Sequence, residues 1–240
     1  MLLVSAWRRL LVAGVAVAAL WGAVLWVVAA ATMVLGTVVG VVQNNIKRML
    51  AYSSIAHGGY LLVALLSAND LGKGAVLFYL LTYAVTNLGA FGVIGLLESA
   101  RQSPATSHQP PNDQVKDYAG LWYSHPVLAG LMTVFLLSMA GIPPTGGFLG
   151  KYLIFQAAVQ SKQWMLAIVG SLNAVIAAYY YLSVILTMWF KQPEGDAGTP
   201  SPLSPSLAFV LTISAAAVLY LGIAPDRVLG LIQGLASTLI

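Results

Sequence analysis

Lys151 follows by four residues the stretch AGIPPTGG (140–147), and both flanks of that stretch are strongly apolar, PVLAGLMTVFLLSM before it and YLIFQAAV after Lys151. Proline inside a helix removes a backbone hydrogen bond and clashes with the preceding turn. In hydrocarbon each freed carbonyl costs several kcal/mol, so a break is tolerated only where protein or a watery cavity receives it. Gly141, Pro143, Pro144, Gly146 and Gly147 therefore predict two half-helices meeting at an internal polar pocket, an arrangement that recurs in ion-coupled transporters. Lys151 falls in the first turns of the second half-helix, away from either membrane surface. A charged lysine at that depth costs about 2.5–3.5 kcal/mol, and desolvation and the positive end of the half-helix both disfavour its ammonium form. A lysine so placed can take up and release a proton. The competing reading is a lysine that snorkels to an interface beside a merely kinked helix.

His57 is the second candidate for proton transfer. Ser53, His57 and Tyr60 fall at i, i+4 and i+7 and share one helical face. A histidine on a polar face could relay protons near neutral pH; equally, it could be a neutral ring bonded to a neighbouring helix. Lys47, beside Arg48 at the head of the same segment, reads as an interface charge that could support that face. Asn87 and Asn173 are expected to be buried amides bonding between helices, and Ser54, Gly58 and Gly59 to be small residues that permit close helix packing. No Asp or Glu lies inside any predicted span, so the counter-charge that a buried lysine ordinarily needs must come from another chain, or Lys151 must be mostly neutral.

The elements that must position these residues follow from composition. Of 240 residues, 59% are hydrophobic and 8% charged, against about 25% charged in a soluble domain, and the mean hydropathy is +0.85. The sequence predicts an all-α polytopic membrane protein of about six transmembrane helices, one of them discontinuous. The predicted spans are 21–42, 50–68, 74–97, 126–160 (broken at 141–147), 164–190 and 206–224. Residues 1–20 would be an apolar remnant helix, 98–125 a polar loop, and 226–240 a C-terminal interfacial segment. The lysines and arginines outside the spans divide five against five between the two sides, so charge alone assigns no orientation. The net charge of +4 is spread along the chain and does not suggest nucleic acid as a partner. With no cysteine, disulfides, iron–sulfur ligation and thiolate metal sites are excluded. Neither a nucleotide fingerprint, a catalytic triad nor a metal-ligand cluster is present, so no cofactor or metal is expected on this chain and no redox chemistry of its own.

QNNIKRMLAYSSIAHGGYLLVAL (43–65), LTYAVTNLGAFGVI (81–94), DYAGLWYSHPVLAGLMTVFLLS (117–138) and MAGIPPTGGFLGKYLIF (139–155) closely resemble the antiporter-like membrane subunits of respiratory complex I, the bacterial NADH–quinone oxidoreductase. The N branch of that family is the nearest match, because its L and M paralogues typically carry a lysine near the position of Asn87. The resemblance implies fourteen transmembrane helices in two inverted five-helix repeats, of which this sequence is similar to the part from about the ninth helix onward. It implies that Lys151 is the lysine of the broken twelfth helix, taken as the terminal proton-transfer residue of the second half-channel. The family's helix-five glutamate and its lysines on helices seven and eight have no counterpart here, so a truncated or split gene product is expected. Further implications are a bacterial inner-membrane location, partners among the other membrane subunits and the lipid bilayer, and NADH, FMN, iron–sulfur clusters and quinone in the rest of the complex. Lys47 and Arg48 would lie on the cytoplasmic side. A subunit of a multi-chain Na+/H+ antiporter and a non-pumping scaffold are the alternatives.

Overall fold

A computed structural model describes residues 2–101, 113–192 and 205–238. The described residues are helical almost throughout, and the chain is an all-α polytopic membrane protein. Most of the Pro- and Ser-rich first half of the 98–125 loop, and most of the loop after Lys191, lie outside the described residues.

Helix α1 runs unbroken over Leu2–Val41, so the boundary expected near residue 20 is absent. The cause is local: no proline or polar turn interrupts the apolar run, and its Ala19–Val41 part is long and apolar enough to cross a membrane. Helix α2 (Ile46–Ser67) begins four residues before the expected 50, because Asn45 caps it by accepting a hydrogen bond from the Arg48 N–H at 3.0 Å. Lys47 and Arg48 thus form its first turn. Ala68 ends it in the left-handed region. Helix α3 (Asp70–Arg101) starts on Asp70, whose carboxylate suits a helix N-terminus. Residues 113–124 lie across the head of α2, held by the Ile46 N–H on the Asp113 carbonyl (2.7 Å) and the Val115 N–H on the Asn44 carbonyl (2.8 Å). This segment contains a single 3₁₀ turn (Val115–Tyr118) and the short helix α4 (Leu121–Ser124), whose Trp122 stacks on Trp189 at 4.0 Å.

The remaining helices are α5 (Pro126–Ala140), α6 (Gly146–Gln160), α7 (Trp164–Phe190), α8 (Pro205–Ile223) and α9 (Asp226–Thr238). Helices α5 and α6 are the two halves of one interrupted span. Helix α6 is short but enclosed: α2, α3, α5, α7 and α8 all pack against it. Helix α9 rests on α3, with Ile232 buried against Phe78 and Leu221. Close approach of α1 to α2 depends on glycine at Gly36, where a Cβ would meet the Ala56 backbone nitrogen at 2.6 Å. Gly59 is likewise closed off by Met33 and Ala29, but Gly58 faces open space and does not serve the packing expected of it.

Candidate functional site at the helix break

The four terminal carbonyls of a helix have no partner within it. At the end of α5 each of them can be followed to a donor. Gly141 adopts φ +81°, the left-handed conformation that glycine tolerates. Its N–H reaches the Ser138 carbonyl, and the Ile142 N–H reaches the Leu137 carbonyl, both at 3.0 Å. Those two bonds form a Schellman cap. The carbonyls of Met139 and Ala140 remain, and both accept from the Lys151 Nζ, at 2.7 and 3.1 Å.

Lys151 is therefore the side chain that completes the C-terminus of the preceding half-helix. It is 4% exposed. The sequence placed its ammonium against the positive end of α6, and the structure corrects this. Lys151 sits past the first turn of α6, and its four-carbon stem folds back to the carbonyl end of α5, which carries the negative end of a helix dipole. It snorkels to no surface. Two carbonyl dipoles take the place of a carboxylate, and the face of the Tyr60 ring lies 5.3 Å from Nζ. An ammonium has three N–H donors and a neutral amine two. The two carbonyls can thus be satisfied in either protonation state.

Close packing keeps this geometry. A Cβ on Gly147 would run into the Ser138 carbonyl group, and one on Gly141 would meet the Lys151 Cδ at 2.9 Å. Pro143 and Pro144 carry the chain between the halves, and Thr145 leads into α6 with its hydroxyl on the Ile142 carbonyl at 2.7 Å. The pocket beside the break is narrow. A cavity of about 10 Å³ lies between His57 and Tyr79 on one side and Ser138, Met139 and Gly147 on the other, the space of one water molecule at most.

His57 is 3% exposed and held by tyrosines. Its Nδ1 lies 2.6 Å from the Tyr79 hydroxyl and its Nε2 3.3 Å from the Tyr181 hydroxyl, which also bonds the Ser53 hydroxyl. The Tyr83 ring stacks on the imidazole at 4.5 Å, and its hydroxyl donates to Ser54 at 2.7 Å. Ser53, His57 and Tyr60 are all buried on one face of α2. Tyr60 joins the two candidate centres: its ring is edge-on to His57 (5.8 Å) and lies beneath the Lys151 Nζ. Tyr79 and Tyr181 escaped the sequence reading. The available signal was that a tyrosine inside an apolar helix needs a partner for its hydroxyl.

Lys47 stands apart from this cluster. It pairs with Glu98 and, at 3.0 Å, with Asp113, tying α2 to the end of α3 and to the segment before the 3₁₀ turn. Asn173 donates to the Val169 carbonyl of its own helix rather than across helices, and Asn87 is half-buried. No group of three metal-ligating side chains occurs among the described residues.

The family described as NADH:quinone oxidoreductase/Mrp antiporter, transmembrane, matches residues 3–177. NADH-quinone oxidoreductase subunit N of Trichlorobacter lovleyi is 46% identical over 226 residues, which is 94% of this chain and 45% of that protein. A chain of respiratory complex I from Thermus thermophilus, solved with bound aureothin, superposes with a TM-score of 0.72 at 32% identity, covering 86% of this chain and 44% of that one. A chain of the Mrp complex from a Dietzia species shares the fold with a TM-score of 0.76 at 21% identity, over 90% of this chain and 47% of that one. The chain thus spans less than half the length of these relatives. A profile match over most of the chain, together with a broken helix carrying a buried lysine, shows that it belongs to the NADH:quinone oxidoreductase/Mrp antiporter family of membrane proteins.

Proposed function

We propose that the chain acts as an antiporter-like membrane subunit of a bacterial NADH–quinone oxidoreductase, contributing to proton translocation across the inner membrane coupled to electron transfer from NADH to quinone. It works beside other membrane subunits in the bilayer. NADH, FMN, iron–sulfur clusters and quinone belong to those partners and not to this chain. The observation that carries the reading is the Lys151 ammonium, buried on the last two free carbonyls of α5. A helix break costs stability, and this one positions a titratable group in the membrane interior, in surroundings able to accept both of its protonation states. Identity to subunit N proteins supports the choice of complex. The family description also names the Mrp antiporters, which supports a second reading, a subunit of a multi-chain Na+/H+ antiporter. Co-purification with electron-transfer subunits separates the two.

The test uses the assembled complex in sealed vesicles, with protons moved per NADH oxidised as the readout. Lys151→Ala is expected to lower the proton flux through this subunit by roughly tenfold or more, the scale on which a positioned proton-transfer group acts. Lys151→Arg keeps a charge that does not dissociate near neutral pH and is expected to fail as well. Full pumping in both variants, at normal complex abundance, would overturn the reading and leave the break as a structural kink.

A further inference from the structure

We infer that Tyr79 and Tyr181 are positioning residues for His57, clamping the imidazole between two phenol hydroxyls so that it passes a proton between α7 and the helix break. The inference rests on the reading of the chain as a proton-translocating subunit. Its own evidence is geometric. Both ring nitrogens of His57 face a tyrosine hydroxyl, one from α3 and one from α7. Each hydroxyl can donate or accept, so the clamp suits either neutral tautomer. Tyr181 extends the chain of bonds to Ser53, giving an unbroken sequence from Ser53 through Tyr181 and His57 to Tyr79.

The far end of that sequence, Tyr79, packs against α6 beside Lys151. Tyr79 fills the space left by Gly150, where a Cβ would meet the Tyr79 Cδ2 at 2.6 Å. Gly150 immediately precedes Lys151, so the absence of a side chain there lets the Tyr79 ring lie against α6. Tyr79 and His57 also border the one-water cavity whose opposite wall is the break itself. The transfer balances as a relay with a donor at one end and an acceptor at the other. With Nδ1–H donating to Tyr79, Ser53 takes up a proton from hydronium and passes its own to Tyr181, as Tyr181 passes its hydroxyl proton to Nε2. The Nδ1 proton moves to the Tyr79 oxygen, whose own proton leaves through a water molecule in the cavity to the neutral amine of Lys151. The ring is left as its Nε2–H tautomer, and rotation of the imidazole together with the hydroxyls restores the starting arrangement. The titratable groups around the ring are Tyr60 on its own helix, Tyr79 and Tyr83 on α3, Tyr181 on α7 and Lys151 on α6. No carboxylate is among the buried polar residues described, so the hydrogen bonds that orient the ring come from hydroxyls.

The experiment compares Tyr79→Phe and Tyr181→Phe in the complete, reconstituted complex with a Tyr179→Phe control, whose hydroxyl belongs to a residue 68% exposed on the outer face of α7. Pumping is measured from pH 5.5 to 8.5 beside complex abundance, with His57→Gln identifying the inflection that His57 contributes. Each phenylalanine removes one hydrogen bond to the ring, worth about 0.5–1.5 kcal/mol, and Tyr181→Phe also removes the bond to Ser53; each is expected to slow pumping about two- to tenfold at unchanged abundance. It is also expected to move that inflection by about 0.4–1 pH unit, while Tyr179→Phe does neither. Normal rates, or rates that fall only in step with abundance while the inflection stays fixed, would overturn the clamp. If those results came beside a pumping-deficient Lys151→Ala, the proposed function would stand and the clamp alone would fall. If Lys151→Ala also pumped normally, both would fall.

Discussion

Two lysines on neighbouring helices show how differently one protein can hold a positive charge. Lys47 is 37% exposed and faces two carboxylates, Glu98 and Asp113. Lys151 is 4% exposed and faces two backbone carbonyls and an aromatic ring. The carboxylate partners are worth having only while Lys47 is charged, so they fix its protonation state. The carbonyls are permanent dipoles that hold an ammonium more strongly but also accept from a neutral amine. One site therefore ties helices together at the edge of the span, and the other caps a half-helix in the interior with a lysine that has no acidic partner among the described residues. The difference comes from sequence position. Lys47 lies in a first turn near a polar segment, whereas Lys151 follows a break that leaves carbonyls free in a place where no carboxylate could be buried cheaply.

The comparison is broken most severely by closing the space at the break. Gly147→Ala sets a methyl group into the Ser138 carbonyl and displaces α6 from α5. Overpacking against backbone is expected to cost about 3 kcal/mol or more, and the variant should be nearly absent from the assembled complex on native gels. Gly58→Ala, on the open side of α2, should assemble normally and gain slightly from alanine's better helix propensity. Equal abundance of the two variants would mean that the half-helices are not held at this distance.

The next sharpest contrast comes from removing each lysine's head group. Lys151→Ala leaves the Met139 and Ala140 carbonyls buried without a donor, at about 1–3 kcal/mol each. Lys47→Ala removes ion pairs at the edge of the span worth no more than about 1 kcal/mol. Thermal unfolding of the purified complex should show the larger loss for Lys151→Ala, and only the Lys47→Ala effect should shrink as salt is raised from 0.05 to about 0.5 M. A salt-sensitive loss in both variants would place Lys151 within reach of solvent ions and erase the distinction.

What could be read in advance follows the same divide between local and distant chemistry. The break was legible because proline and glycine act on the chain within a turn, and Gly141 is the cap that such a sequence requires. The spans were legible from hydropathy, although α1 passes unbroken through residue 20 because nothing polar stops it. The partner of Lys151 was within reach of a carbonyl inventory but not of periodicity, since the side chain bonds eleven and twelve residues back. The tyrosine clamp was not legible, because its members lie 22 and 124 residues from His57 and meet only when three helices pack. Gly58 and Gly59 were not told apart for a related reason: α2 is apolar on most sides, and its contact with α1 settles its rotation.

His125 extends the comparison to a basic group with neither kind of partner. It precedes α5 and is half-buried, and its Nδ1 is buried with no hydrogen-bond partner. Burial holds its pKa below the ordinary value of 6.5, since no carboxylate or carbonyl offsets the cost of charging it. The folded state therefore favours the neutral ring. Its contribution to stability is complete above pH 6.5, and it declines as the pH falls below that value, where the unfolded chain takes up a proton that the folded chain resists. The effect should be the smallest of those described here, because the ring is only partly desolvated. Thermal unfolding of the complex at pH 7.5 and 5.5 should show a larger acid-induced drop for the parent than for His125→Gln, whose amide does not titrate. An identical drop in both would mean that solvent reaches the ring. His125 would then resemble Lys47 in its exposure, although it has no acidic partner, and burial alone would no longer separate the interior bases from those at the membrane edge.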